Sequence, residues 1–181
     1  MISKANEFYS YLFQEEEGIT AAYFQTNAGT GYRVYFYPIS AYFDILSPET
    51  QLYQHGYFFG FTKLAPNEGR KEAIDLRVRN TIINAVQTFI EEKGANKVLI
   101  FYYDDEDGSK LKRFICFDWW YQRTEAKTLL LKIDEEIITI DDSGLKMDTE
   151  YISLLLNRNN SMMDSLLIEF QLLKEQLIAN K

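Results

Sequence analysis

The stretch Gly56-Tyr-Phe-Phe-Gly-Phe-Thr-Lys63, followed by Asp75-Leu-Arg-Val-Arg-Asn-Thr-Ile-Ile-Asn-Ala-Val-Gln-Thr-Phe-Ile-Glu-Glu-Lys93 and then Lys97-Val-Leu-Ile-Phe-Tyr-Tyr103, decides the fold class. In the first segment Tyr57, Phe59 and Phe61 alternate with their neighbours, the period-two pattern of a strand, and Gly60 permits a close backbone approach. At about Asp75 the period changes. Ile74, Val78, Ile82, Ala85, Val86, Phe89 and Ile90 recur at three- and four-residue spacing, so one stripe of a helix faces a core. Asp75 suits the N-cap of that helix, and Gly94 suits the position just past its end. The third segment is apolar on both faces, which predicts a central strand covered twice.

Working outward, Tyr32 to Tyr37 alternates strictly and reads as a strand, as does Ile19 to Gln25. Asn27-Ala-Gly-Thr-Gly31 supplies the positive-φ residues of a tight turn between them. Residues 5–14 are aromatic and read equally as a short helix or a strand. In the other direction Asp104 to Gly108 turns the chain, and a helix is expected from Lys110 to Arg123 with Ser109 as its cap. Thr128 to Ile140 is strand-like, with Asp134-Glu135-Glu136 as a candidate break. Tyr151 to Leu156 is the last strand, and a final helix at about 161–179 follows, with Ser161 and Asp164 as its capping pair. The expected fold is α+β: a mixed or mainly antiparallel sheet (β-meander, α, β, α, β-β, α) packed by about three helices, in a single domain over residues 1–181.

Composition narrows the function classes. The chain has 181 residues, of which 46% are hydrophobic and 15% aromatic, enough for a packed core. It carries 19 Lys and Arg against 27 Asp and Glu, a net charge of −8, so nucleic acid is not an expected partner. No apolar run approaches the ~18 residues of a membrane span, so no membrane is expected either. The N-terminus lacks an apolar run followed by a small-residue cleavage site and is not read as a secretory leader. Cys116 is the one cysteine and cannot form an internal disulfide, which points to a cytoplasmic location. His55 is the one histidine. These counts exclude Cys/His zinc sites, and no metal, cofactor or catalytic residue is assigned. In the acidic turn, a calcium-loop alignment on Gly108 places Asp105 and Asp107 correctly. It also puts Tyr103 first and Phe114 twelfth, where neither can ligate, so a solvated turn is expected. Cys116, between Ile115 and Phe117, reads as a buried, inert thiol.

Two kinds of binding feature remain. Gly69, Arg70 and Lys71, with Arg77 and Arg79 near them, precede or open a helix, where free N–H groups attract anions, so they form a candidate anion-binding site. Neither a Walker motif nor G-x-G-x-x-G accompanies them. Trp119, Trp120 and Tyr121, beside Arg113 and Arg123, and the seam Phe170, Leu173 and Leu177 of the last helix form the candidate interaction surface. With 13 Tyr, 13 Phe and 2 Trp, some aromatic surface is expected to stay exposed. A homodimer or a stable protein partner is the consequence.

Three segments together are similar to an uncharacterised bacterial family of the Bacteroidetes type, domain of unknown function 6169. They are Tyr32-Arg-Val-Tyr-Phe-Tyr37 with Gly56-Tyr-Phe-Phe-Gly-Phe61, then Asp75-Leu-Arg-Val-Arg-Asn-Thr-Ile82 followed by Val98-Leu-Ile-Phe-Tyr-Tyr-Asp104 and Asp107-Gly108, then Leu154-Leu-Leu-Asn-Arg-Asn-Asn160. The resemblance implies a cytoplasmic bacterial protein and carries over no catalytic residues. The element order also resembles the core of the GNAT N-acetyltransferase superfamily. That resemblance implies an acetyl-CoA pyrophosphate at the start of the first helix after the meander, where Pro66 to Asp75 lies and only Gly69, Arg70 and Lys71 match. The paired small residues of the superfamily's motif are missing there. It also places Tyr121 where the superfamily often has a catalytic tyrosine. The favoured reading is a non-catalytic protein-binding module of a bacterial cytoplasm, of the kind found in defence or toxin–antitoxin loci. The second reading is a divergent acyl-CoA-dependent N-acyltransferase.

Overall fold

The computed structural model describes residues 8–41, 46–64, 75–103, 108–140 and 143–179. Its strands are β1 (Tyr11–Glu16), β2 (Ile19–Gln25), β3 (Gly31–Pro38), β4 (Gly56–Leu64), β5 (Val98–Tyr102), β6 (Leu130–Ile140) and β7 (Lys146–Asn157). Its helices are α1 (Gln51–His55), α2 (Leu76–Lys93), α3 (Lys110–Gln122), α4 (Ala126–Leu129) and α5 (Met163–Ala179). The strands form one sheet in the order β1-β2-β3-β4-β5-β7-β6. Every neighbouring pair is antiparallel except β4 and β5, so the α+β class with a mixed, mainly antiparallel sheet is the one expected. The two helices beyond the expected three, α1 and α4, are each about one turn long and carry too few periodic residues to be read.

The aromatic segment at the N-terminus is a strand. Glu17 and Gly18 both take positive φ, 52° and 81°, so the chain reverses tightly and β1 pairs with β2 along its whole length. Helix α2 begins and ends as its caps dictate. Asp75 accepts the Arg77 N–H at 2.9 Å, and Gly94, at φ 106°, donates its N–H to Ile90. Strand β6 runs unbroken through its acids because partners take them up: Asp134 binds Lys132, and Glu135 binds Lys174 and Gln171. At α5 the cap is Asn160, which accepts the Met162 N–H at 2.8 Å, while Ser161 turns away to Asn96. Ser109 makes no side-chain cap bond to α3. His55 ends α1. That short helix is held at its start by Thr50 and by Glu169 of α5, whose carboxylate accepts the N–H groups of Gln51 and Leu52.

Each face of the sheet carries its own core. On one, α2 and α3 cover Val34, Phe36, Phe59, Leu99, Phe101 and Leu155; the Phe36 and Phe89 rings stack with centroids 3.9 Å apart. On the other, α1 and α5 cover Phe58, Val98, Ile100, Leu154 and Leu156, with Leu166, Phe170 and Leu173 packed down on them. Strand β5 feeds both cores by alternation, as its sequence requires. Full burial of each large apolar side chain contributes about 1.5–3 kcal/mol. Some aromatic surface does stay exposed: among the described aromatic residues Phe8 and Trp119 are exposed, while most of the others pack into or against the two cores. One expectation is corrected. Cys116 is exposed, because α3 turns Phe114, Phe117, Trp120 and Tyr121 inward and leaves Leu111, Ile115, Cys116 and Trp119 outward. Among the described residues no helix is long and apolar enough to cross a membrane.

Gly56 is where α1 ends and β4 begins. A Cβ there would lie 2.3 Å from the Leu52 carbonyl oxygen and 3.1 Å from Ile39. The obstacle is backbone, which cannot swing aside. Gly56→Ala is therefore expected to lower stability by about 1–3 kcal/mol in a urea titration monitored by circular dichroism.

Candidate functional site

Strand β4 takes part in two ladders of unequal length. It pairs with β3 from Tyr57 to Leu64, but with β5 only over Gly56↔Val98, Tyr57↔Leu99 and Phe58↔Ile100. Beyond Phe58 the two strands part, each following its antiparallel partner: the Tyr103 N–H donates to Tyr151 of β7 at 3.1 Å. A parallel seam holds slightly less well per residue than an antiparallel ladder, so this seam is the one that opens. Among the described residues, no strand pairs with the β5 side of β4 from Phe59 to Thr62.

A cleft of about 520 Å³ occupies the gap. Tyr35, Tyr37, Phe58, Gly60 and Thr62 line it from one sheet face, and Phe59, Phe61, Phe101 and Tyr103 from the other. The cleft therefore passes through the plane of the sheet. Gly60 shapes it: a Cβ there would lie 2.3 Å from the Tyr35 hydroxyl, so the missing side chain lets the Tyr35 ring lie across β4. Arg113 of α3 is the one charged side chain in the described lining. A second hollow of about 270 Å³ shares Phe61, Phe101 and Arg113 and continues along α3 past Lys112 and Cys116 to Trp120.

The described cleft residues include no carboxylate and no imidazole. Burial pushes the Tyr103 phenol well above its ordinary range, and partial burial raises the Cys116 thiol. Tyr103 is also engaged. Ser153 donates its one hydroxyl proton to Asp134 at 2.5 Å, so Tyr103 is the donor in its 2.9 Å bond to Ser153. Lys132, its side chain 1% exposed, closes the chain by donating to Asp134 at 2.5 Å and Asp118 at 3.3 Å. Its ammonium lies 5.3 Å from the Phe114 ring centroid. Among the described residues no group of three or more His, Cys, Asp or Glu side chains could hold a metal.

The residues singled out in the sequence separate in space. Gly69, Arg70 and Lys71 lie outside the described residues, as do Asp104 to Asp107. The start of α2 is described, and its own carboxylate closes it. Asp75 takes the Arg77 N–H, the Tyr9 hydroxyl and the Arg77 guanidinium at 3.5 Å. Burial opposes ionisation of Asp75, but these hydrogen bonds prevail and hold its carboxyl below the usual range. Tyr121 is buried, and its hydroxyl donates to the Leu130 carbonyl at 2.9 Å, so it is not free to act on a substrate. Phe170 and Leu173 are buried under α5 against the chain's own sheet, and Leu177 is half-buried. Trp120 is half-buried with its centroid 5.8 Å from that of Phe61. Of the six residues offered as a surface, Trp119 alone is exposed, at 40%. Tyr35, Tyr103 and Arg113 were not read as lining a common cleft. Gly60, within an aromatic strand, was the one local signal of it.

A family model described as a family of unknown function (DUF6169) matches residues 74–172. The matched span runs from the approach to α2 into α5 and takes in β5, Arg113 and the Tyr103–Ser153–Asp134–Lys132 chain. No curated protein and no solved structure matches the chain.

Two outcomes follow. Lys132→Met removes the buried ammonium that Asp134 accepts and is expected to cost about 1 kcal/mol in urea denaturation, with the Lys132→Met, Asp134→Asn pair recovering part of it. Asp75→Ala removes a cap worth about 1 kcal/mol. Because the folded carboxyl is lowered, that contribution is complete above the unfolded carboxylate range and fades as pH falls through the folded value. The stability difference between the variant and the parent should therefore shrink in acid, as thermal melts at neutral pH and below pH 3 would show.

Proposed function

We propose that this chain, which belongs to the DUF6169 family of unknown function, is a non-catalytic protein-binding module whose β4–β5 gap receives an extended segment of a partner protein. The observation that carries the reading is the β5 side of β4 from Phe59 to Thr62, which pairs with no strand among the described residues and faces an aromatic cleft that passes through the sheet. An unpaired strand edge offers alternating N–H and C=O groups, and an extended peptide satisfies them as an added strand. The aromatic walls take its apolar side chains. On this reading the module works as a single domain. The lone Cys116 suits a reducing bacterial cytoplasm, where a role within a defence or toxin–antitoxin locus remains part of the proposal.

A second reading is a divergent GNAT-like acyl-CoA-dependent N-acyltransferase. The order of a four-stranded meander, then α2, β5, α3 and the β6–β7 pair supports it, as does the gap itself, since a pantetheine arm is also an extended chain of amides. The Asp75 carboxylate at the start of α2 weighs against it, because a pyrophosphate would meet a negative charge at the very N–H groups it needs. Tyr121 gives it no catalytic hydroxyl.

Panning a random-peptide display library on the parent protein separates the two. Ligands with alternating apolar residues are expected. Their affinity should fall at least tenfold when alternate backbone nitrogens are methylated, and again on Thr62→Trp at the mouth. Peptides that tolerate methylation, or that bind Thr62→Trp as the parent, would overturn the added-strand reading. Calorimetry with acetyl-CoA and CoA at millimolar concentration is expected to show no heat; saturable heat would transfer the site to the acyltransferase.

A further inference from the structure

Among the described residues five cations of this acidic chain stand in ion pairs: Lys93 meets Glu15, Lys110 meets Asp148, Lys132 meets Asp134 and Asp118, Lys174 meets Glu135, and Arg77 meets Asp75. One surface gathers cations that make no such pair. Arg79 from the first turn of α2 and Arg123 at the end of α3 meet at Trp119, with Lys127 of α4 beside them and Arg158, after β7, bonded to the Lys127 carbonyl. The Arg123 guanidinium carbon lies 4.5 Å from the Trp119 ring centroid and that of Arg79 5.6 Å. An open hollow beside them is lined by Arg79, Arg123 and Lys127, together with Thr124, Thr128 and one acid, Glu125. The polar bonds these cations make are to neutral groups. Arg79 donates to the Asn80 side chain, Lys127 to the Gln122 carbonyl, and Arg158 to the Lys127 carbonyl. Among the described residues no carboxylate stands within ion-pair distance of any of the four. None of them lines the β4–β5 cleft.

We infer that this patch docks an acidic linear segment of a protein partner, with an apolar residue on Trp119 and flanking carboxylates on Arg79 and Arg123. Cations gathered with Glu125 as the one acid in the hollow repel one another, and an arriving carboxylate relieves that repulsion. A guanidinium matches a carboxylate through two parallel N–H···O bonds, and an indole in contact with two guanidiniums is ordered before the ligand arrives, which lowers the entropic cost of docking. Tryptophan and arginine together are also the residues on which interface energies concentrate. The charge balance selects a peptide over a nucleic acid. With a net charge of −8, the surface beyond the patch repels a polyanion whose charges extend past the Debye length of about 8 Å, whereas a few carboxylates fit within it. This surface is independent of the β4–β5 gap and stands or falls separately.

The test uses the full chain and a fluorescein-labelled, end-capped octapeptide of glutamates around one central phenylalanine, read by anisotropy at 50 mM and 300 mM salt. Saturable binding is expected at low salt, weakening at least fivefold at high salt. It should weaken at least tenfold in the Arg79→Gln, Arg123→Gln double variant and in Trp119→Ala, while Thr62→Trp at the cleft and Lys93→Gln elsewhere leave it unchanged. All substituted side chains are at least partly solvent-exposed, and circular dichroism melts establish that the variants are folded. Three results would overturn the inference: no binding at millimolar protein, equal affinity of the double variant, or tighter binding of a labelled thymidine decamer than of the peptide. If light scattering shows that the parent pairs with itself through this patch and Trp119→Ala abolishes the pairing, the occupant is a second copy and the peptide assignment fails.

Discussion

The mismatch between the two ladders of β4 governs the architecture. A strand can stay in register with both neighbours only while their directions agree, and twist rotates each neighbour away from the next. Here β4 holds β3 over eight residue pairs and β5 over three. Because β5 also holds β7 over five pairs, the sheet is two antiparallel units hinged at a short parallel seam. The meander β1–β4 is one unit and β5, β7 and β6 are the other. The gap between them is a consequence of topology, and among the described residues no strand pairs with the β5 side of β4 beyond Phe58.

The two units are bonded through aromatic rings as much as through backbone. Phe59 on β4 and Phe101 on β5 sit 5.1 Å apart between centroids, and Phe117 of α3 is 5.7 Å from the first and 5.0 Å from the second. These contacts span the seam on the side where α2 and α3 cover it. Offset and tilted ring pairs of this kind contribute about 0.5–1.5 kcal/mol each beyond their burial. On the other face, α1 and α5 cover the closed part of the seam at Phe58 and Ile100. A gap flanked by these ring contacts favours a ligand that is itself extended, since a compact one would have to part the rings.

Much of the fold was legible because its signals are local. The change of period at Asp75, the caps Asp75 and Gly94, and the doubly apolar Val98–Phe101 each rest on a few neighbouring residues, and each appears in the structure. The misreadings arise where a distant partner decides. Asp134 and Glu135 look like a break in a strand until Lys132 and Lys174 are brought to them. Cys116 looks buried until the angular positions around α3 are fixed by Phe114, Phe117 and Tyr121. Phe170 and Leu173 look like a free seam until α5 lies on β7. The cleft could not be read at all, because no spacing in the sequence records that β4 and β5 pair for three residues and then separate. The Trp119 patch was half-read: the aromatic residue and Arg123 stand close in sequence, but Arg79 and Arg158 reach it only through the fold.

The first turn of α2 shows how little separates this layout from a phosphate site. A helix start exposes N–H groups and the positive end of its dipole, and whichever anion arrives first satisfies them. In this chain the anion is built in. Asp75 accepts the Arg77 N–H and the Tyr9 hydroxyl, and the Arg77 guanidinium that stands against its carboxylate also lies 4.5 Å from the Tyr9 ring centroid. Those contacts hold the carboxyl ionised through the neutral range, so the helix start is both filled and negative there. An external phosphate would have to displace a bonded carboxylate and leave Arg77 and Tyr9 without it. The same three-residue cluster ties the chain before β1 to α2, so opening the helix start would also loosen the packing of Tyr9 against Phe24, whose rings lie 6.0 Å apart. Anion binding at this end is thus coupled to structure elsewhere, whereas the Arg79–Trp119–Arg123 surface one turn along offers its charge without that penalty.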